Sequence, residues 1–195
     1  MSVTSYQNLN KGELTQLLDI AREAIRGHFS EELPRPPQLD LYGRKLLQPG
    51  ACFVTLEVDG QLQGCLGSVS ANSPLVLEVH NKARASAYQD HRFMPLTEDQ
   101  LDQLMIEVSV LSEPEVLAVD SEQALIEYLE SNKVGVVLSD NHSQALFLPQ
   151  VWEQLKSPKE FIRHLKSKAG WNAVYWSPSM EVKTFTVTSI KGKYY

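Results

Sequence analysis

The chain has few cysteines and no long apolar segment. Only two of its 195 residues are cysteines, Cys52 and Cys65. Two are too few for a disulfide framework, so we expect reduced thiols and a cytoplasmic location. No run approaches the roughly 18 apolar residues that a membrane helix requires, and Met1–Asn10 lacks the charged and then apolar pattern of a signal peptide. These features predict a soluble protein without a membrane partner.

The chain also has fewer basic than acidic residues. Eighteen Lys and Arg residues stand against 24 Asp and Glu residues, which gives a formal net charge of −6 and a sequence pI near 5.4. Nucleic acids and anionic membranes attract proteins that carry a positive field, so the charge balance argues against a general nucleic-acid-binding function. The chain does contain 43% apolar and 22% charged residues, which is ordinary for a globular protein with a sizeable core.

Several signatures of catalysis and cofactor binding are missing. The five histidines form no His-Glu-x-x-His arrangement, and the cysteines form no Cys-x-x-Cys pair, so no metal site is predicted. The glycines lack the Walker and dinucleotide-binding spacings, and there is no Gly-x-Ser-x-Gly elbow for a nucleophile. We therefore predict no cofactor.

The first part of the chain predicts a helix and an extended connector. Asn10 and Glu13 have the spacing of a capping box, and apolar residues then recur every three to four positions as far as Phe29. The segment Glu31–Asp40 holds three prolines, which lack an amide donor and restrict the residues before them. We therefore expect an N-terminal helix at about 10–29, appended to the main fold and followed by the connector.

After the connector, the same order of elements occurs twice. A strand at Ala51–Val58 turns back at an Asp-Gly pair, which is typical of a hairpin, and a helix and a strand at Leu104–Leu111 follow. The second half repeats the hairpin and the helix and ends on a long predicted strand, Glu181–Ile190. The offsets between equivalent positions are nearly constant, which leaves a structural duplication and a chance recurrence both open.

This order of elements predicts an α+β fold. We expect two lobes of mixed or antiparallel sheet with packed helices, since hairpins and helices alternate along the chain. The lobes would cover about 45–118 and about 119–190 of a single domain spanning residues 1–195. Clefts between lobes are favoured ligand sites, so we expect the functional residues to line such a cleft.

The most unusual local sequence is Gly64-Cys65-Leu66-Gly67, followed by Ser68. Two glycines weaken a strand, and they indicate a bulge or the close approach of another backbone or of a ligand. Ser68 and the polar residues after it are able to present backbone donors to an anion. Cys65 is a candidate nucleophile if a neighbouring base or cation stabilises its thiolate. The alternative is that it is a small buried residue.

Two further segments carry candidate site residues. The block Asp90-His91-Arg92-Phe93 follows a predicted helix, and Arg92 is able to clamp a carboxylate or phosphate, unless it pairs locally with Asp90. His91 is a candidate acid or base in the same block. Glu107 lies on the polar face of its strand, where it is a candidate base or ligand if that face lines the cleft, and a solvated residue if it does not.

Four short motifs follow one another in a characteristic order: Gly64–Gly67, Asp90–Thr97, Ile106–Leu111 and Leu146–Trp152. Together they resemble the AMMECR domain family, also called AmmeMemoRadiSam system protein A, over about residues 14–190. The Leu-Arg-Gly-Cys-Ile-Gly motif of that family reads Leu-Gln-Gly-Cys-Leu-Gly here, with Gln63 in place of the arginine. This change removes a cation that could stabilise a Cys65 thiolate, and it favours a backbone role for the motif.

The resemblance implies an α+β fold of two unequal lobes, with the motif near the cleft, and partnership with Memo-like and radical-SAM proteins. It implies no particular reaction. We therefore expect an uncharacterised accessory or binding component of a modification system. The expected binding residues are Gly64, Cys65, Gly67, Ser68, Arg92 and Phe93. The alternative is a small cysteine-dependent enzyme in which Cys65 acts with Glu107 or His91.

Overall fold

The computed structural model describes residues 9–29 and 35–195. Within them, the chain forms four α-helices, three short 3-10 helices and eight strands in two four-stranded sheets, which confirms the α+β class. It divides into two compact units: the described residues of Met1–Ser112 together with Thr188–Tyr195, and Glu113–Val187. None of the helices in the described residues is long and apolar enough to cross a membrane.

The helices and strands follow one another in this order: α1 (Lys11–Arg26), β1 (Ala51–Val58), β2 (Gln61–Gly67), α2 (Leu75–Tyr88), β3 (Leu104–Leu111), β4 (Glu115–Val116), α3 (Glu122–Ser131), β5 (Gly135–Ser139), β6 (Gln144–Phe147), α4 (Pro158–Lys168), β7 (Glu181–Phe185) and β8 (Val187–Lys193).

Both sheets use the same strand order. The first sheet runs β2-β1-β3-β8 and the second runs β6-β5-β7-β4. In each, the first strand of a hairpin pairs on one side with its return strand and on the other with the strand that follows the helix, always antiparallel. The connection through the helix therefore crosses over the central strand, as in a split β-α-β unit. The repeated order of hairpin, helix and strand is thus a feature of the fold.

The helix α1 begins where its sequence predicts. The Asn10 side chain accepts a bond from the Glu13 amide at 2.9 Å, and the Glu13 carboxylate accepts one from the Asn10 amide at 2.8 Å, which is a capping box. Leu17 and Ile25 of this N-terminal helix are buried, and they form part of the core of the first unit. Most of Met1–Asn10 and part of the predicted connector Glu31–Asp40 lie outside the described residues.

The prediction of one long strand at Glu181–Ile190 is wrong. The segment forms β7 in the second sheet and β8 in the first, with Thr186 between them. β-forming residues continue through the break, so the local pattern carries no sign of it. Which strand pairs with which is decided by distant parts of the chain rather than by local preference.

Each unit has its own hydrophobic core. In the first, α1 and α2 pack on one face of the sheet, where Val54 of β1 and Val108 of β3 have no exposed surface. In the second, Trp152 stacks on Phe161 with 3.9 Å between ring centroids. Because side chains alternate along a strand, Thr55 and its neighbours in register lie on the opposite face of the first sheet from its helices.

Candidate functional site

Three residues form one row across the first sheet. The register pairs Cys65 of β2 with Thr55 of β1, and Thr55 with Glu107 of β3. Paired residues on adjacent strands share a face, so Cys65 and Glu107 lie on the same side with Thr55 between them. All three side chains are half-buried. Two strand spacings of about 4.8 Å separate the backbone of Cys65 from that of Glu107.

The Cys65 thiol has a neutral partner. Thr55 Oγ1 donates to Cys65 Sγ at 3.3 Å, and within the described residues this is the one side chain hydrogen-bonded to the sulfur. A hydroxyl carries no charge, so it gives the thiolate none of the ionic stabilisation that a lysine, arginine or protonated histidine would give. Further along the row, Ser109 Oγ donates to Glu107 Oε1 at 3.3 Å.

The backbone of Cys65 is bound by side chains from the loop after α2. Its amide donates to Asp90 Oδ2 at 2.9 Å, and its carbonyl accepts from Arg92 Nη2 at 2.9 Å. Arg92 also binds Asp90 through Nε to Oδ1 at 2.9 Å and through Nη2 to Oδ2 at 2.7 Å. We call Asp90, Arg92 and the Cys65 backbone the edge clasp. Because β2 is an outer strand, the clasp supplies the acceptor and donor that a neighbouring strand would otherwise provide.

Two further links fasten the same strand. Gln63 Nε2 donates to the Met94 carbonyl at 2.7 Å. The Leu66 amide donates to Ser86 Oγ at 2.9 Å, and Ser86 Oγ donates to the Val54 carbonyl at 2.8 Å. Gln63 therefore holds the loop after α2, and Ser86 ties α2 to both strands of the hairpin.

Close approaches explain both glycines of the motif. A β-carbon on Gly64 would lie 2.1 Å from the Ser86 carbonyl oxygen, and one on Gly67 would lie 2.3 Å from the Phe53 ring. The register also shifts beside Gly64, where Gln63 is the extra residue of a bulge. The sequence left open whether the two glycines reflect a bulge, a nearby backbone or a ligand. The bulge and the nearby backbone are both present.

Asp90 is the buried charge of the edge clasp. Its side chain is 3% exposed, whereas that of Arg92 is 59% exposed. The Arg92 guanidinium, with the amides of Cys65 and Arg92, holds the pKa of Asp90 well below its usual range, against the opposing effect of burial. Asp90 in turn raises the pKa of Arg92. The clasp is therefore ionised at physiological pH, and the charge of Arg92 is compensated by Asp90.

The loop of the clasp continues with one half-buried residue, Phe93, between two exposed ones, Arg92 and Met94. The Arg92 guanidinium lies 5.4 Å from the centroid of the Phe93 ring, and Met94 is 81% exposed. Arginine, methionine and aromatic residues are enriched where proteins bind each other. We call Arg92, Phe93 and Met94 the loop surface.

The remaining candidates lie outside the row. His91 is exposed within the loop of the clasp. The Ser68 hydroxyl donates to the Ser70 carbonyl and accepts from the Ser70 amide, both at 3.1 Å, so it is used in a local turn. Cys52 is fully buried, and burial raises the pKa of its thiol. Among the described residues, no group of three or more His, Cys, Asp or Glu side chains is placed to hold a metal ion.

Two residues of this region were missed by the sequence reasoning. Thr55 is an ordinary strand residue, and nothing in the local sequence indicates that its hydroxyl binds a thiol. Ser86 lies between two alanines of α2 and is 2% exposed. A serine on the buried stripe of a helix was an available signal, because a buried hydroxyl needs a partner.

Comparison with known proteins points to one group of relatives. The profile of the AMMECR1 family matches residues 18–190. A protein of Methanosarcina barkeri is 34% identical over 181 residues, which cover 89% of this chain and 87% of that protein. One from Thermotoga maritima is 37% identical over 141 residues, 71% and 76% of the two chains. The crystal structure of an uncharacterized Pyrococcus horikoshii protein matches with a TM-score of 0.83 at 26% identity, over 94% of this chain and 93% of that one.

Proposed function

The chain belongs to the AMMECR1 family, and from this membership we propose that it is an accessory or binding component of a modification system. The resemblance drawn from the four sequence motifs is thereby confirmed. The partner in this proposal is a Memo-like or a radical-SAM protein, which binds the loop surface beside the edge clasp. Both cysteines are unbridged, which supports a cytoplasmic location.

The use of the polar groups around Cys65 supports this proposal. Asp90, Arg92 and Ser86 form hydrogen bonds with backbone groups of β2, whereas the side-chain hydrogen bond to the thiol comes from a neutral hydroxyl and Arg92 acts on the thiol only through space. Catalytic thiols are activated by a base or a cation that acts on the sulfur. The arrangement is better suited to holding a strand edge and its adjoining loop in one shape, and a surface fixed in this way loses little entropy when a partner binds.

Calorimetric titration of the protein with purified Memo-like and radical-SAM proteins from the same organism tests this proposal. Met94→Asp places a charge on the loop surface, and we expect it to weaken binding by about tenfold or more, as at a buried interface residue. Leu41→Asp is the matched control, because Leu41 is an apolar residue that is 67% exposed and lies outside the loop surface. Equal affinity of Met94→Asp and the wild type, or no binding to either class of partner, contradicts the proposal.

A cysteine-dependent enzyme is the second candidate, and the row of Cys65, Thr55 and Glu107 on one face favours it. In this alternative Cys65 is the nucleophile, with Glu107 or His91 as acid or base. The alkylation rate with iodoacetamide near neutral pH tests it, with Cys65→Ala as the control for the other thiol. A rate no faster than that of a free thiol removes the basis of this candidate, because a nucleophile of this kind needs a stabilised thiolate.

A further inference from the structure

A surface cavity lies beside the C-terminal half of α4, in the second unit. Its volume is about 310 Å³, and it is lined by Arg163, His164, Ser167, Trp171 and Ala173. Arg163 and Ser167 are four residues apart and therefore neighbours on one helix face. The lining holds a guanidinium, an imidazole, a hydroxyl and an indole but no carboxylate. Its size is at the lower end of the range for small-molecule sites.

The cavity lies in a basic segment of an acidic chain. Residues 156–168 contain five Lys or Arg and one Glu, whereas the whole chain has 18 Lys and Arg against 24 Asp and Glu. Arg163 and His164 are exposed on this segment. Among the described residues, neither of these side chains nor the Ser167 hydroxyl takes part in a hydrogen bond or ion pair. The cavity therefore presents a cation and further polar groups that are available to an anion.

A buried lysine fixes one wall of the cavity. Lys166 has no exposed surface; it forms an ion pair with Glu122 and donates to the Ala173 carbonyl at 3.1 Å. Burying a charge is costly unless it is paired and hydrogen-bonded. Here one of its bonds holds the backbone of a residue that lines the cavity, so this wall is formed before any ligand arrives.

A stacked pair of aromatic rings fixes the other wall. Trp171 lines the cavity and stacks on Tyr175, with 5.5 Å between ring centroids and 23° between their planes. The Tyr175 hydroxyl donates to Asp140 Oδ2 at 2.7 Å. Tyr175 is not part of the lining, and Trp171 also packs against the hydrophobic core of the second unit. The part of the indole that lines the cavity is the surface that it offers to a planar group of a ligand.

We propose that this cavity binds a phosphate ester that carries a planar ring, of the chemical class of a nucleoside monophosphate. Arg163, with Ser167 and His164, binds the phosphate, because a guanidinium and adjacent donors match the oxygens of that group. The ring of the ligand stacks on Trp171. This site shares no residue with the loop surface, so the two proposals stand or fall independently.

Calorimetric titration with adenosine monophosphate at fixed ionic strength tests the site. The wild type should bind it saturably, and Arg163→Gln should bind it about tenfold more weakly or worse, because a charge-assisted contact is lost. The matched control is Lys156→Gln, which removes a cation from an exposed position of the same basic segment, before the helix begins and outside the lining. It should change the affinity by no more than about twofold, since exposed charges contribute little.

Two fragments of the ligand separate the parts of the proposal. Adenosine, which lacks the phosphate, should bind far more weakly than the monophosphate. Ribose 5-phosphate, which lacks the ring, should bind more weakly as well, and its affinity should not depend on Trp171→Leu. The proposal is overturned if no saturation occurs up to about 10 mM, if Arg163→Gln binds like the wild type, or if either fragment binds as tightly as the monophosphate.

Discussion

The two units share a strand order but cover the outer edges of their hairpins differently. In the first, β2 is bound by the edge clasp, whose side chains come from the loop that follows α2. In the second, the equivalent strand β6 receives a bond from Lys168 Nζ to the Leu146 carbonyl at 3.0 Å. Lys168 is the last residue of α4, the helix that corresponds to α2. The edge of β2 is thus bound by a buried carboxylate and its arginine partner, and the edge of β6 by an exposed lysine.

This difference distinguishes a structural requirement from a candidate site. Every edge strand has backbone N–H and C=O groups that lack a partner strand. At β6, the side chain of Lys168 binds one of these carbonyls. At β2, the ion pair of buried Asp90 with exposed Arg92 and the Ser86 hydroxyl bind the backbone of Cys65 and Leu66, and Gln63 of the same strand binds the loop after α2. Such a concentration of polar groups indicates that these residues maintain the backbone conformation of the segment around Cys65. They do more than cover the unpaired edge of the strand.

Gly64→Ala should disrupt the edge of the first unit most severely. The added carbon would lie 2.1 Å from the Ser86 carbonyl oxygen, so α2 would have to move away from the sheet. We expect the free energy of unfolding, measured with urea, to fall by about 3 kcal/mol. Gly43→Ala is the control, because the added carbon meets nothing within 4 Å. If both variants are equally stable, the close packing of α2 on β2 is incorrect.

Asp90→Asn should remove the negative charge of the edge clasp while keeping its shape. We expect a loss of about 2 kcal/mol at neutral pH, because bonds to a carboxylate are replaced by weaker bonds to an amide. The folded-state pKa of Asp90 lies below its unfolded value, so this stabilisation is present above about pH 4 and is lost as the pH falls further. Urea unfolding of both proteins over this range checks it, and a difference that does not shrink at low pH contradicts the ionised clasp.

Local features of the fold could be predicted from the sequence. Asp59 and Gly60 adopt positive φ values of 51° and 73°, which is the conformation that an Asp-Gly hairpin turn requires. The strand β3 spans Leu104–Leu111 as predicted, because the alternation that marks a strand lies within the strand itself. The capping box of α1 is equally local, since its two side chains are three residues apart.

The rest depends on contacts between distant residues. The sequence indicated both Cys65 and Asp90, but not that the carboxylate binds the amide of a residue 25 positions away. For Arg92, the sequence left two alternatives open, local pairing with Asp90 and ligand binding. The pairing is present, and ligand binding stays a prediction. The break at Thr186 was missed for the same reason, since the two strands it separates belong to different sheets.

His80 offers a smaller, pH-dependent test of the packing of α2. Its side chain is 5% exposed, and burial lowers its pKa. The unfolded chain therefore takes up a proton before the folded protein does, and stability should fall below about pH 6.5 with a slope of at most about 1.4 kcal/mol per pH unit. His80→Gln should flatten this part of the profile in urea unfolding. The same slope in the variant contradicts the assignment to His80.

Lys168→Gln should have the smallest effect, because it removes an exposed ammonium from the edge of the second unit. We expect the free energy of unfolding to change by about 0.5 kcal/mol or less, as is usual for exposed charges. Thermal or urea unfolding of Lys168→Gln and of Asp90→Asn, each measured against the wild type, compares the two losses of stability directly. A loss as large as that of Asp90→Asn removes the contrast between the two edges.

Hydrogen exchange at the backbone amide of Cys65 tests the central claim most directly, namely that the polar residues around Cys65 serve its backbone. The amide lies on an outer strand and donates to Asp90, so it should be protected in the wild type. In Asp90→Asn it should exchange about tenfold faster or more, because the local opening that exposes it becomes easier. An amide that exchanges freely in the wild type, or equally slowly in both proteins, contradicts the claim.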